Sequence, residues 1–470
     1  MTRAQLFTLE QQTIEPIPLD ARYGKARGLF AIWFGMNMTP LTVVTGATAS
    51  AVFGLSLWWS LLAIVVGNAI GGVGMALHAA QGPKLAVPQM LQARGQFGSY
   101  GASIVVLIAI IMFVGYFSSN LLVASKSVVA VFPSANSAAV IVICSILSLA
   151  ITAYGYALVR VTTAISTYIV GALVLLSFAT LAVKGTIGHV LGLGRFHAVG
   201  FFAMLAIGVV WQLTYAPYVS DYSRYMPQET GARGSFWGSY LGCVLSTVLL
   251  MTLGVIVGSA VTGTDTMPGL RGLLGGALGF VVLIGFAFSA AAGNSVNAYC
   301  SSLCVLTLIE TFAQGWRPAL RARLATTLVL HLAGALIALA AASSFATSYF
   351  NFLNVVLYLL IPWSAVNLVD YYLIRHADYA VDDFFAAGGG RYGRWNTGAL
   401  AVFVLGVVAQ IPFISTTFYT GPIATALGGV DIAWLIGLVV SGLCYIVVAR
   451  VAPRSIRLEA PAAVNHKAAA

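Results

Sequence analysis

Two prolines, each set inside an uncharged apolar stretch, constrain this chain more than any other feature of its sequence. Residues 200–227 read GFFAMLAIGVVWQLTYAPYVSDYSRYMP, and the first twenty carry no charge. A run of about 20 apolar residues crosses a bilayer core as a helix. Here Gln212, Thr214 and Pro217 interrupt that run near its middle. Residues 28–47, GLFAIWFGMNMTPLTVVTGA, break in the same way at Asn37-Met38-Thr39-Pro40. In hydrocarbon, backbone freed by such a break is tolerated only where it faces protein or a water-filled cavity. Broken mid-membrane helices are how many secondary transporters build their sites; a plain proline kink would need no ligand.

The chain of 470 residues is 60% hydrophobic and 8% charged, with a mean hydropathy of +0.93. No soluble domain could hide that much apolar surface, so the predicted fold class is an all-α polytopic membrane protein. Hydropathy predicts about twelve spans, near 28–50, 55–78, 99–125, 137–158, 162–183, 199–220, 236–261, 275–307, 326–344, 350–373, 398–418 and 432–450. Residues 1–27 and 451–470 are then polar tails, and 1–27 lack the short apolar core of a cleavable signal peptide. Cys144, Cys243, Cys300, Cys304 and Cys444 lie in apolar runs without metal-ligand spacing and read as small core residues. The net charge of +10 reflects basic loops rather than nucleic-acid binding. Of the 23 Lys and Arg residues, all but Lys126, Lys184, Arg195 and Arg271 fall on the side that holds the N-terminus. That asymmetry places both termini in the cytoplasm and the protein in the plasma membrane, or the inner membrane of a bacterium.

An internal repeat is visible in the spacing. Pro40 and Pro217 lie 177 residues apart, and the same offset carries Asn120 of span 3 onto Asn297 of span 8. With five spans per unit, span 1 and span 6 run in opposite directions, the arrangement of an inverted repeat. The first repeat would cover 28–185 and the second 199–375, with two further spans over 398–450.

Within the spans the informative residues are amides and aromatics. Span 1 has Asn37 and Thr39; span 3 has Tyr116 and Asn120 at i, i+4, on one helix face. Span 6 has Trp211, Gln212, Thr214 and Tyr215; span 8 has Asn294, Ser295 and Asn297. An unpartnered amide in hydrocarbon costs roughly 2–7 kcal/mol, so each must either bridge helices or line a polar cavity. Amides pair with the donor–acceptor edge of a heterocycle, and Tyr116 with a span 6 aromatic could sandwich its ring. No fixed charge is present to hold an amino acid's ends, so a neutral planar solute fits best. No Asp or Glu sits mid-span. Asp221, Glu310 and Asp370 fall at span ends, where capping or solvation is expected, and His331 lies one or two turns from the cytoplasmic end of span 9, where packing or snorkelling is expected and proton carriage is the alternative. A cation site of neutral oxygens, from Gly35, Met38, Ser289 and Asn294, is therefore the simpler expectation for sodium.

The run from Trp33 to Gly98 carries Trp33, Asn37, Met38, Asn68, Gly71, Gly82, Pro83, Lys84, Pro88, Gln89, Met90, Arg94, Phe97 and Gly98. Together with SDYSRYMP (220–227) and GNSVNAYCS (293–301), it resembles the nucleobase:cation symporter-1 family, in its purine–cytosine permease branch. The resemblance covers roughly 14–375. It implies a five-plus-five inverted repeat (LeuT-like), with spans 1, 3, 6 and 8 enclosing the substrate, and substrate roles for the amides and aromatics named above. Three departures matter. Tyr116 stands where relatives often have Trp; the stacking aromatic of span 6 is Trp211 or Tyr215; and Ala291, Ala292 and Gly293 replace the hydroxyls of sodium-coupled members.

The loop 81–98 lacks the GxxxxGK[ST] spacing of a phosphate cradle. It reads instead as an amphipathic gate element on the cytoplasmic surface, with Arg94 and Asp221 a candidate gate pair. The expected function is import of a cytosine- or purine-type nucleobase with Na+ or H+. The alternatives are a related heterocycle (allantoin, hydantoin, uracil, hydroxymethylpyrimidine) or a passive facilitator. An enzyme would need a buried catalytic or metal cluster and a sensor a soluble domain, and neither is present in the sequence. The expected partners are the lipid bilayer and the small solute, with no nucleic acid, no obligatory protein partner, no cofactor and no metal other than sodium.

Overall fold

The computed structural model describes residues 9–229, 231–261, 263–313, 315–341 and 345–453. Arg3, Arg454, Arg457 and Lys467, used above for orientation, lie outside the described residues. Among those residues the structure is helical, with no β-strand. Ten helices are long and apolar enough to cross a membrane. They are span 2 (Leu57–Leu85), span 3 (Ser99–Val131), span 4 (Ser137–Tyr154), span 5 (Tyr156–Val183), span 6 (Ala198–Ser223), span 7 (Gly231–Ala260), span 8 (Gly276–Phe312), span 9 (Leu320–Ala340), span 10 (Asn354–Ile374) and span 12 (Ala433–Val451). Span 1 is the bent pair Ala26–Asn37 and Pro40–Ala51, and span 11 the shorter apolar helix Thr397–Phe413. The turn between spans 4 and 5 falls at Gly155, not near Arg160 as hydropathy predicts. Gly155 takes a φ of 85°, and a Cβ there would lie 2.1 Å from a carboxylate oxygen of Glu10.

The two breaks differ. In span 1, Thr39 is extended (φ −107°, ψ 153°) and Pro40 opens the second half, because a proline lacks an N–H and drives the preceding residue out of the helical region. The halves meet at 61°. The Thr42 hydroxyl donates to the freed Asn37 carbonyl at 2.9 Å. In span 6 the helix Ala198–Leu213 passes through Thr214 and Tyr215 into a 3-10 turn, Ala216–Tyr218, and resumes as Val219–Ser223. Tyr215 keeps near-helical angles (φ −83°, ψ −18°), so Pro217 sits inside a tightened turn and the span continues without a bend comparable to that of span 1.

Spans 3 and 8 pack along one another. Both halves of span 1 lie on span 7, and span 6 lies on span 2; span 4 packs on span 8, and span 9 on span 3. Exchanging each span with the one five places later leaves these pairings unchanged, which is compatible with the inverted repeat. The paired contacts also share a device. A Cβ on Gly46 or Gly254 would fall 2.1 or 2.0 Å from Met251 O or Val43 O, and one on Gly67 or Gly71 2.3 or 2.4 Å from Leu205 O or Val209 O. Small residues let the backbones touch, the usual way membrane helices gain packing energy without a hydrophobic drive. Spans 11 and 12 pack on each other and on span 10. On the outside, Val329, Leu332 and Leu336 of span 9 form an exposed apolar stripe, as a lipid-facing helix requires.

Candidate functional site

The breaks in spans 1 and 6 face spans 3 and 8 across a small cavity. It is lined by Met36, Thr39, Leu41, Tyr116, Asn120, Trp211, Thr214, Tyr215, Tyr218 and Asn297. Its non-atom space is about 300 Å³, but the room for the centre of a water molecule is only about 10 Å³, enough for about one water. The slot is closed as it stands, and a heterocycle enters only if a wall moves.

Seven of the ten substrate residues expected from sequence meet at this cavity: Thr39, Tyr116, Asn120, Trp211, Thr214, Tyr215 and Asn297. The other three stand behind it. Asn37 Oδ1 accepts from Trp211 Nε1 at 2.8 Å and from the Tyr215 hydroxyl at 2.6 Å, while its amide nitrogen donates to Trp33 O at 3.0 Å. It ties the breaks together and fixes both span 6 aromatics. Gln212 points the other way, donating to Asn68 Oδ1 at 2.8 Å and Thr247 Oγ1 at 3.2 Å in spans 2 and 7. Asn294 donates to Phe117 O at 3.0 Å and accepts from Asn120 Nδ2 at 3.1 Å, so it orients Asn120. Helix position alone could not separate these rotamers. Met36, Leu41 and Tyr218 were missed because apolar and aromatic residues at span positions carry no polar signal. Phe352, on the helix Phe345–Val369 that leads into span 10 and edge-on to Tyr116 at 5.4 Å, was missed for the same reason.

Several cavity-side groups lack partners. Both amide atoms of Asn297, Oδ1 of Asn120 and the Tyr116 hydroxyl are buried without a hydrogen bond of ordinary geometry. Leaving such groups unpaired is costly, and it points to a ligand or an ordered water that completes them. The sandwich of Tyr116 with a span 6 ring is not formed: Tyr116 and Trp211 meet at 6.1 Å and 87°, a direct edge-to-face contact with nothing between. Of the cation set, Ser289 Oγ approaches Gly35 O at 3.4 Å and Met38 N–H donates to the same carbonyl at 3.1 Å. Asn294 is spent on span 3, so it does not join them. His331 is engaged at both ring nitrogens, with Thr327 O at 2.8 Å and Ser148 Oγ at 3.2 Å, as packing requires.

The gate element needs correction in two respects. The helix Gln89–Phe97 is buried at every residue rather than lying on the surface. Arg94 does not meet Asp221. It pairs with Glu310 at 2.7 Å and donates to Phe384 O, Thr307 O and Thr311 Oγ1 at 2.7–3.0 Å. The reason is the helix's course, which aims Arg94 at the end of span 8 and only its Gln89 N–H at Asp221, at 2.8 Å. Burial takes the Arg94 guanidinium below its ordinary pKa, with Glu310 opposing that shift. Asp221, Glu310 and Asp370 are buried, not solvated; Asp370 is held by Arg375 at 3.0 Å and by the hydroxyls of Tyr445 and Tyr379.

Sequence also gave no sign that the N-terminal segment is part of the bundle. Glu10 accepts from Tyr156 N at 2.8 Å, the Tyr299 hydroxyl at 3.0 Å and the Tyr225 hydroxyl. Arg323 and Arg224 donate to the carbonyls of Glu10 and Thr13 at 3.1 and 2.8 Å, and Gly24 N–H donates to Tyr225 O at 2.8 Å. The segment is a strap across the same end of spans 4, 5, 6, 8 and 9.

Residues 16–437 match the family described as permeases for cytosine/purines, uracil, thiamine and allantoin. The chain is 36% identical over 447 residues to the putative purine-cytosine permease YxlA of Bacillus subtilis, covering 93% of this chain and 95% of the relative. It is 26% identical over 464 residues to the purine-cytosine permease fcyB of Emericella nidulans, covering 94% and 88%. Among solved structures, it is similar to Mhp1, a nucleobase-cation-symport-1 family transporter, in a closed conformation with bromovinylhydantoin bound. The TM-score is 0.78 at 17% identity, over 96% of this chain and 98% of that one. The inward-facing Mhp1 gives a TM-score of 0.70 at 18% identity, over 95% of each chain. The broken spans, the shared fold and a match along most of its length lead to one conclusion: this chain belongs to the family of permeases for cytosine/purines, uracil, thiamine and allantoin.

Proposed function

We propose that this protein imports a neutral nucleobase of the cytosine or purine type together with a cation, by alternating access around the cavity of spans 1, 3, 6 and 8. The observation that carries this reading is the group of buried, unpartnered amide atoms of Asn297 and Asn120 beside the fixed indole of Trp211. Amides offer donor and acceptor to a base edge, and an aromatic face takes a planar ring. Trp211 is the stacking partner in this reading, with Tyr116 swinging off its edge to admit the ring. The purine–cytosine names of the relatives agree with it. The hydantoin held by Mhp1 keeps related heterocycles as competing solutes in the test.

With the basic residues on the inner side, both termini are cytoplasmic, the Glu10 strap closes the inward path, and Arg94 with Glu310 anchors its rim. Sodium would have Gly35 O and Ser289 Oγ, but Ala291, Ala292 and Gly293 add no side-chain oxygen. That is a thin substitute for an ion's hydration shell.

The test is uptake of radiolabelled cytosine, adenine, hypoxanthine, uracil and allantoin into cells lacking their own permeases, in sodium, in choline and with an uncoupler. Accumulation of cytosine or a purine that collapses with the driving ion supports the reading. Equilibration without accumulation would make the protein a facilitator.

A further inference from the structure

We propose that Asp221 is the binding site of the coupled cation, and that this cation is a proton. The inference rests on the coupled-transport reading above and goes beyond it by naming the ion and its acceptor. Asp221 lies in the short helix Val219–Ser223, just past the break in span 6, and is 1% exposed. Its Oδ1 accepts the Gln89 N–H at 2.8 Å; its Oδ2 is buried with no N–H or O–H partner, and the Cys300 thiol is the donor beside the carboxyl. Among the described residues it makes no ion pair, whereas the two other buried acids at this end, Glu310 and Asp370, have arginines at 2.7 and 3.0 Å.

Arg224, one turn on and fully buried, is the nearest cation among the described residues and its charge favours the carboxylate, but it forms no ion pair with it and its nitrogens are bonded elsewhere. Its Nε donates to the main-chain oxygen of Asp221 at 3.2 Å, its Nη1 to Thr13 O at 2.8 Å and its Nη2 to the Tyr299 hydroxyl at 3.3 Å. A buried carboxylate with a cation nearby but no direct ion pair is still expensive unless it is neutralised, and an ionisable group in this setting is a functional candidate by default. Binding one proton at Oδ2 removes the charge and leaves Oδ1 free to keep the Gln89 bond.

Position supplies the coupling. Tyr218, one turn before Asp221, lines the cavity, and so does Asn297; Cys300, one turn after Asn297, lies beside the acid. The acid therefore sits about one helical turn beneath the solute. The other groups facing it are few. Tyr222 is on its own turn, and span 8 brings Cys300, Cys304 and Tyr299. Span 2 contributes His78, its carbonyl taken by the Ser220 hydroxyl at 3.0 Å and its buried ring turned to Gly74 O at 2.8 Å and stacked on Trp363. The turn Gly82–Leu85 and span 7 bring only the exposed Lys84 and Arg233. The buried helix Gln89–Phe97 brings backbone N–H, its Arg94 being paired with Glu310. With the proton bound, the acid stays buried and the helix stays docked; on opening inward, water takes the proton and solvates the carboxylate.

Asp221→Asn preserves the acceptor for Gln89 and mimics the permanently protonated acid, so it tests the proton rather than the fold; Asp221→Glu restores a carboxyl. In proteoliposomes, an inward pH step of one unit should drive about tenfold accumulation at one proton per solute for the wild type. Asp221→Asn should lose all pH-driven accumulation yet keep exchange of labelled for unlabelled solute, and Asp221→Glu should regain some. In purified protein, the infrared absorption of a protonated carboxyl should titrate with pH and disappear in Asp221→Asn. Accumulation by Asp221→Asn equal to wild type, or an unchanged carboxyl band, overturns the proposal. The infrared arm needs no solute, so a wild type that carries none of the bases sinks the substrate reading while this arm still decides the acid.

Discussion

The cavity and the strap end of the bundle use polar residues in opposite ways. Around the cavity, Asn297 and Asn120 keep amide atoms unpaired, and the residues that are paired, Asn37 and Asn294, are spent on holding their neighbours. Beneath it, Glu10, Arg94, Glu310, Arg224 and Arg323 bind one another's elements with charge and main-chain bonds, the end that the proposed function reads as a closed gate. The difference is one of kind: the cavity leaves both atoms of a whole amide free, whereas the strap end leaves single atoms, such as Nε of Arg94 and Arg323, on side chains otherwise held. Asp221 departs from its surroundings, a half-satisfied acid among paired charges, and that is why the coupling ion is sought there.

The largest effect expected from this contrast is at the gate. Arg94→Ala leaves the buried Glu310 with only the half-exposed Arg317 at 3.7 Å, which costs up to about 3–5 kcal/mol. The purified protein should melt well below the wild type, and an unchanged melting temperature would break the comparison. In the cavity the reverse holds. Asn297→Ala removes only unpartnered atoms, so stability should hold while solute binding weakens by about 10- to 100-fold, the worth of about 1–3 kcal/mol. Asn120→Ala should lose binding similarly and also some stability, since Asn294 loses its partner; equilibrium binding read beside thermal melts separates the two. Glu10→Ala should leave solute affinity intact, raise thiol labelling at Cys300 and lower net uptake, because the hydroxyls of Tyr225 and Tyr299 lose their acceptor. Lys84→Ala, at an exposed position of the same basic loop, should change stability by less than about 0.5 kcal/mol and leave uptake unchanged. A large effect there would mean the loop works at its surface after all.

How much of this was legible in the sequence follows from the physics of each signal. Proline and glycine act on backbone locally, so the break at Pro40 and the one before Pro217 could be placed to within a residue or two. Amides in apolar runs stand out, so Asn120 and Asn297 were found with Tyr116 at their side. Side-chain direction is set by neighbours distant in sequence, so Asn37 and Gln212 could not be told from cavity residues. The partner of Arg94 lies more than 200 residues away, and the sequence around Glu10 has no feature to mark it as a latch. The break in span 6 was overdrawn for a related reason: a proline after a helical residue tightens the chain, whereas Pro40 after an extended threonine turns it.

The most direct test of the central claim is a density map of the protein bound to whichever base of the panel binds most tightly. The ring should lie against the Trp211 indole, its polar edge within hydrogen-bond distance of the Asn297 and Asn120 amides, with Tyr116 displaced from its present edge-on contact. A ring bound elsewhere, with the Asn297 amide still unpartnered, would contradict it.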